Sequence, residues 1–186
     1  SLYKNNPRHF DSIYSQWERV WYSFQSKNSI MILTLSVAIE GLLNDIYIPI
    51  ITIKSNDIEL EAQIANIKKQ IKSLELTNDQ CSQLIGNVSY WKKITAAKAL
   101  SHLIEHGIIT TTDKKLWQEL RNESAHPKIR EEDLAKERLE LEQVLSCLDL
   151  FHKLILNTLA FSGPIFTLQS GKEFTYQELV YTDILS

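Results

Sequence analysis

Apolar positions recur at three- and four-residue steps along most of this chain, the period of helices that bury one face. The first such stretch predicts a helix over 10–25, with Phe10, Ile13, Tyr14, Trp17, Val20, Trp21 and Phe24 on one broad face. An aromatic stripe of this kind reads as core, with a partner surface as the alternative. Asn28 or Ser29 can cap the next helix, which runs to about Tyr47 through Ile32, Leu35, Ala38, Ile39, Leu42, Leu43 and Ile46, with Pro49 closing it. It is apolar almost all round, which places it at the centre of a bundle. A more polar helix follows over 57–75, with Asn56 and Glu59 in capping-box spacing, and a short one starts at Thr77, where Gln80 completes the same box.

The second half repeats the theme. A helix over 90–106 runs from Trp91 through Ile94, Ala97, Leu100, Leu103 and Ile104 to Gly107, a residue suited to the position just past a helix end. Thr110 and Asp113 open another. The longest helix spans 131–161, with Leu134, Leu141, Leu145, Leu148, Ile155 and Leu159 on a seam like that of a coiled coil, and Gly163-Pro164 ends it. Ile165–Gln169 and Glu173–Tyr176 then flank Ser170-Gly171 as a hairpin, which needs support from the bundle or a second chain. The expected fold is all-α, a bundle of about five to seven helices with a short C-terminal β-hairpin. Its parts are an N-terminal aromatic helix (1–28), the bundle proper (29–162) and the hairpin tail (163–186).

Composition narrows the class. A hydrophobic content of 44% supports a globular core, and five Gly and four Pro fit long helices. The net charge of −3 argues against a broadly basic nucleic-acid coat but leaves room for a local basic patch. Cys81 and Cys147 match no metal or redox spacing and read as reduced core thiols, which suits a cytoplasmic protein. No uninterrupted apolar run reaches the ~18 residues of a membrane span, so no membrane partner is expected. Met31 is the only methionine, so a chain that starts at Ser1 is expected to be a processed product or part of something longer.

The chemistry gathers at Arg121-Asn122-Glu123-Ser124-Ala125-His126-Pro127, at a helix exit. On this helix Leu116, Trp117, Leu120 and Ser124 face one way, and Arg121 sits one turn beyond Trp117 at the edge of that face. On an uninterrupted helix Arg121 and His126 would point about 140° apart. A residue before proline is pushed out of the α region, so His126 leaves the helical path and can be re-aimed. Asn122, one turn back, is placed to fix its ring by a hydrogen bond. Metal-independent RNA cleavage needs a base for the 2′-hydroxyl, an acid for the leaving oxygen and a cation for the phosphoryl charge. A guanidinium fork suits the last task. The motif holds a single histidine, and two copies across a two-fold axis would supply two, so the chemistry predicts a homodimer. The structural alternative is a capping arginine paired to Glu119, Glu123 or a more distant carboxylate.

The stretch Leu116-Trp117-Gln118-Glu119-Leu120-Arg121-Asn122-Glu123-Ser124-Ala125-His126-Pro127 resembles the signature of the HEPN superfamily, closest to its ApeA type: an Arg, usually followed by a polar residue, then a His after four to six residues. The surroundings are similar too, with Ala38-Ile39-Glu40-Gly41-Leu42-Leu43 on a long apolar helix and Trp91-Lys92-Lys93-Ile94 leading to His106-Gly107-Ile108. The likeness covers about residues 29–160. It implies a dimeric helical bundle and a metal-independent endoribonuclease, needing no cofactor, that leaves a 2′,3′-cyclic phosphate in antiviral defence or as a toxin. A regulatory domain or antitoxin is the implied partner. By that resemblance Arg121 holds the scissile phosphate, His126 transfers protons, Asn122 is the polar motif residue, and Glu40 matches an acidic residue some members carry on the central helix. Other members are inactive and serve as dimerisation, partner-binding or RNA-binding modules.

Lys92, Lys93, Lys98, Lys114, Lys115, Lys128 and Arg130 gather in sequence around the motif. Lys92, Lys93, Lys115, Lys128 and Arg130 are the candidates for phosphate contacts along an RNA groove, with solvated helix faces as the alternative. His102-Leu103-Ile104-Glu105-His106 fits a zinc-protease spacing, but no third ligand is identifiable and Gly107 ends the helix, so no metal is expected. His9 has no nameable partner, and His152 sits at a core-like position.

Overall fold

The computed structural model describes residues 6–26, 28–54, 58–125, 134–169 and 173–183. The architecture is an all-α bundle carrying a two-stranded antiparallel sheet at its C-terminal end. Its elements are α1 (Pro7–Ser23), α2 (Asn28–Leu42), a π-helical turn (Leu43–Tyr47), α3 (Ile48–Lys54), α4 (Ile58–Lys72), α5 (Asn78–Tyr90), α6 (Ala96–Glu105), α7 (Thr111–Ala125), α8 (Leu134–Thr158), β1 (Gly163–Gln169) and β2 (Glu173–Leu179).

Helix α2 is the hub, packed by α1, α7 and α8. Its Ile32, Leu35, Ala38, Ile39 and Leu42 are buried, and they meet Trp117 and Leu120 of α7 and Val144, Cys147, Phe151 and Leu154 of α8 in one core. Pro49 does not close this helix. The chain continues helically to Lys54, and the backbone N–H of Ile48 bonds to the Leu43 carbonyl across the wider π turn. A proline inside an α-helix clashes with the carbonyl four residues back and lacks a donor. The π turn just ahead of Pro49 widens the backbone where that clash would fall. Tyr47 then ties the turn to α8. Its hydroxyl donates to the Leu154 carbonyl at 2.6 Å and accepts from Thr158 Oγ1 at 3.1 Å. The continuous helix Asn28–Ile53 is long and apolar enough, by length and composition, to cross a membrane, although polar residues break every apolar run along it. Half of its apolar window is buried inside the protein.

Two apolar faces differ from expectation. On α1 the buried residues are Ile13, Gln16, Val20 and Ser23, while Phe10, Tyr14, Trp17, Trp21 and Phe24 are exposed. The helix starts at Pro7, whose fixed φ favours a first helical position. It also leans on α2 through small and polar contacts. Gln16 lies so close to Gly41 that a Cβ there would come within 2.5 Å of its Nε2. On α8 the core set is Val144, Cys147, Leu150, Phe151, Leu154 and Ile155, mostly one step round from the expected seam, which contributes Ile155 to the core and Leu148 against it; Leu141 and Leu159 are exposed. Two adjacent apolar stripes satisfied the same period, and the one facing α2 became core.

Capping signals hold at α5 and α6, whereas α2 already begins at Asn28, ahead of the expected cap. Thr77 and Gln80 form the expected box at α5, and Gly107 takes φ +70° after α6. The N-terminal part of the expected 90–106 helix is not helical. The helix begins at Ala96, capped by Thr95 Oγ1 accepting from the Lys98 N–H, while Trp91 and Lys93 lend their carbonyls to Lys98 Nζ. Asn56, one cap candidate, lies outside the described residues. α4 and α5 pack on each other around Ile64, Ile71 and Val88, a small core of their own. Strand β1 pairs with β2 from Gly163↔Leu179 to Gln169↔Glu173, and both strands are longer than expected; Ser170-Gly171 lies outside the described residues. The hairpin rests on the end of α8, where Asn157 Oδ1 accepts from the Thr182 N–H at 3.2 Å. Helix α8 stops before Gly163, because Ala160 adopts φ 54° and the Phe161 N–H turns back to the Leu156 carbonyl.

Candidate active site

The site is built from the start of α7 outward. Thr110 and Asp113 cap the helix reciprocally: the Thr110 N–H and Oγ1 both donate to Asp113 Oδ2 at 2.8 Å, and Thr110 Oγ1 accepts from the Asp113 N–H. Asp113 is also held from α8 by Lys153 Nζ at 3.2 Å, with both side chains 10% exposed. This buried ion pair pins the first turn of α7 to the long helix. One turn further, Trp117 fills the core at 1% exposure and donates its indole N–H to the Ser36 carbonyl at 3.3 Å.

Arg121 follows one turn on, and Glu40 lies one turn past Ser36. Arg121 Nε donates to Glu40 Oε2 at 3.1 Å and Nη2 donates to Oε1 at 3.2 Å. Both contacts join residues 81 positions apart, as Trp117 and Ser36 are. A constant separation means that α7 and α2 run parallel here, with Trp117–Ser36 and Arg121–Glu40 as successive rungs. The guanidinium also lies over the Trp117 ring, 5.6 Å from its centroid. Two oxygens and one ring face fix the plane of the fork. The Arg121 side chain stays 53% exposed, so a phosphate approaching from solvent meets a pre-oriented cation.

Asn122 is exposed beside it. His126, Pro127, Lys128 and Arg130 lie outside the described residues. The remaining basic candidates each have a partner close by. Lys92, just past α5, binds Glu61 of α4 at 2.6 Å; Lys93 sits over the Tyr90 ring at 5.1 Å; Lys115 faces Glu119 at 3.8 Å.

The two histidines of the zinc-like spacing stack on each other, ring centroids 4.4 Å apart, and His106 Nδ1 lies 2.9 Å from the His102 carbonyl. Among the described residues no group of three or more metal-ligating side chains forms. His152 is exposed rather than core, while His9 is half-buried with Asn6 Nδ2 at 3.3 Å. Cys147 is buried under α7, and burial together with Asp113 and Glu119 pushes its thiol up to about 12. The Lys153–Asp113 pair and the Trp117–Ser36 bond escaped the sequence reading. A serine within an otherwise apolar stretch was the only signal for the second.

No family model, curated protein or solved structure matches this chain.

Proposed function

We propose that the chain is one half of a composite, metal-independent endoribonuclease of HEPN type, active as a homodimer. The observation that carries this reading is the pre-oriented, exposed Arg121, clamped by Glu40 and Trp117 at the end of α7, from which the chain leads to His126. In the reaction a histidine takes the proton of the 2′-hydroxyl and the 2′-oxygen attacks phosphorus. A second histidine protonates the departing 5′-oxygen. The products are a 2′,3′-cyclic phosphate and a 5′-hydroxyl. Arg121 stabilises the charge on the phosphoryl oxygens, and Asn122 orients the ring of His126.

The surface beside Glu40 supports a two-fold assembly. Ile30, Leu33 and Val37 are exposed at helical steps on the face of α2 that leads to Glu40. Together with Gln16, Arg19 and Tyr22 they line an apolar groove of ≈ 570 Å³. An antiparallel crossing of α2 with its copy at Val37 sets the two Glu40 residues about 9 Å apart along the axis, and a crossing at Leu33 sets them about 21 Å apart. Only the first keeps two motifs in one cleft. A toxin or defence effector in the cytoplasm, restrained by an antitoxin or regulatory domain, is the setting this activity fits.

The second reading is a catalytically silent helical module, and the Arg121–Glu40 pair favours it to the extent that a purely structural arginine would make the same contact. Cleavage of single-stranded RNA in EDTA by wild type, Arg121→Ala and His126→Ala separates the two. Cleavage lost in both variants supports the ribonuclease. Cleavage that persists in both, or none by wild type on varied RNAs, removes it.

A further inference from the structure

Helix α1 carries a second surface that the ribonuclease reading does not use. Phe10, Trp17 and Phe24 fall within about 20° of one line along it, with Tyr14 and Trp21 about 40–60° round, at 100° per residue. All five are exposed, Trp17 at 43% and Trp21 at 59%. The two indoles stack on each other, centroids 5.6 Å apart and 14° from parallel. Five aromatic side chains about half exposed present roughly 400–600 Å², the size of the largest apolar patch on an ordinary monomer, and such patches mark interaction sites.

Charge says what covers it. Asp11 and Glu18 border the stripe on its solvent edge, about 100–120° round and two turns apart. Among the described residues neither has an ion-pair partner. Arg8 and Arg19 fall about 180–200° round, on the opposite side of the helix. RNA and anionic lipid are therefore repelled at the stripe's open edge. A second copy docked antiparallel, Trp17 over Trp17, would bring Glu18 against its own copy and gain no opposite charge.

We infer that the aromatic face of α1 is a docking site for a basic amphipathic helix of a protein partner. That helix places its apolar ridge across Trp17 and Trp21, with lysine or arginine seven residues apart against Asp11 and Glu18. Cations beside the indoles add cation–π attraction. An interface of about 1,000 Å² total is at the small end for specific recognition, so the affinity is on the order of 1–100 μM.

The test is a calorimetric titration of the whole chain with a synthetic Leu/Lys helix bearing lysines at seven-residue spacing. The same peptide with glutamates, a single-stranded RNA and phosphatidylserine-containing vesicles serve as comparisons, and sedimentation equilibrium reads self-association. The basic peptide is expected to bind in that range and weaken at least tenfold in Trp17→Ala/Trp21→Ala. Asp11→Lys/Glu18→Lys should transfer the preference to the acidic peptide. Circular dichroism checks the fold, since Asp11, Trp17 and Trp21 are exposed and Glu18 is half-buried. Equal binding of both peptides, binding of RNA or vesicles alone, self-association lost in the tryptophan variant without peptide binding, or no binding at all would each overturn the inference.

Discussion

Arg121 and Glu40 meet as a two-point ion pair between parallel helices, one turn beyond the hydrogen bond from Trp117 to Ser36. The pair is half exposed, so its contribution to stability is small, about 0–1 kcal/mol. Its consequence is orientation. Glu40→Gln is expected to leave thermal stability within a few degrees of wild type and to lower RNA cleavage about 10- to 100-fold, chiefly in kcat. Full activity in Glu40→Gln would remove the positioning role.

The buried pair of Asp113 and Lys153 behaves in the opposite way. Removing one partner leaves a charge in the core, at a cost of about 3–5 kcal/mol. For a chain of this size that corresponds to roughly 6–20 °C in Tm. Lys153→Ala should therefore be strongly destabilised in thermal denaturation, while Lys92→Ala, which breaks the exposed contact to Glu61, should shift Tm by no more than about 2–4 °C.

At the end of α8, Ala160 occupies φ 54°, a region that disfavours a Cβ. Ala160→Gly keeps the turn and relieves the strain, so a gain of about 1 kcal/mol, or 2–4 °C, is expected in a melting scan. A loss of stability would show that the side chain contributes more there than the backbone strain removes.

Alkaline pH should unfold the protein through two buried groups. Desolvation raises Cys147 to about 12 from 9.0, and raises Tyr47 to about 12 from 10.0 against hydrogen bonds that pull it down. The unfolded chain releases these protons first, so stability is intact below pH 9 and is lost as pH climbs towards 12. The slope is up to about 1.4 kcal/mol per pH unit for each group. Cys147→Ala should flatten the fall of Tm between pH 9 and 10, where Tyr47 has yet to contribute. In native protein a thiol reagent should modify half-buried Cys81 and spare Cys147 until unfolding.

Element existence was legible in the sequence wherever a local rule decides it. Thr77 with Gln80, Thr110 with Asp113 and Gly107 are resolved within one helical turn, and each came out as expected. Which apolar face is core is not a local matter. The aromatic stripe of α1 and the leucine seam of α8 have a sound helical period, but burial followed the lines that reach α2, including Gln16 and Ser23 in place of Trp17 and Trp21. Pro49 misled for a similar reason, since a π turn can absorb a proline and its sequence signature is weak. At the site, spacing picked out Arg121 and resemblance picked out Glu40. Their contact depends on two helices running parallel in register, which no pattern within either helix encodes. Lys92, Lys93 and Lys115, which are near the motif in sequence, meet Glu61, Tyr90 and Glu119.

The central claim is a site shared between two copies, and subunit mixing tests it most directly. Wild-type protein is equilibrated with His126→Ala above the dimer dissociation constant, and RNA cleavage is followed in EDTA. If each cleft needs both histidines, only pure wild-type dimers cut. Total activity then falls to about half with an equal amount of variant and about one-fifth with a fourfold excess, by random pairing across a two-fold. An unchanged rate at every ratio would mean that each copy works alone, and the composite site would be wrong.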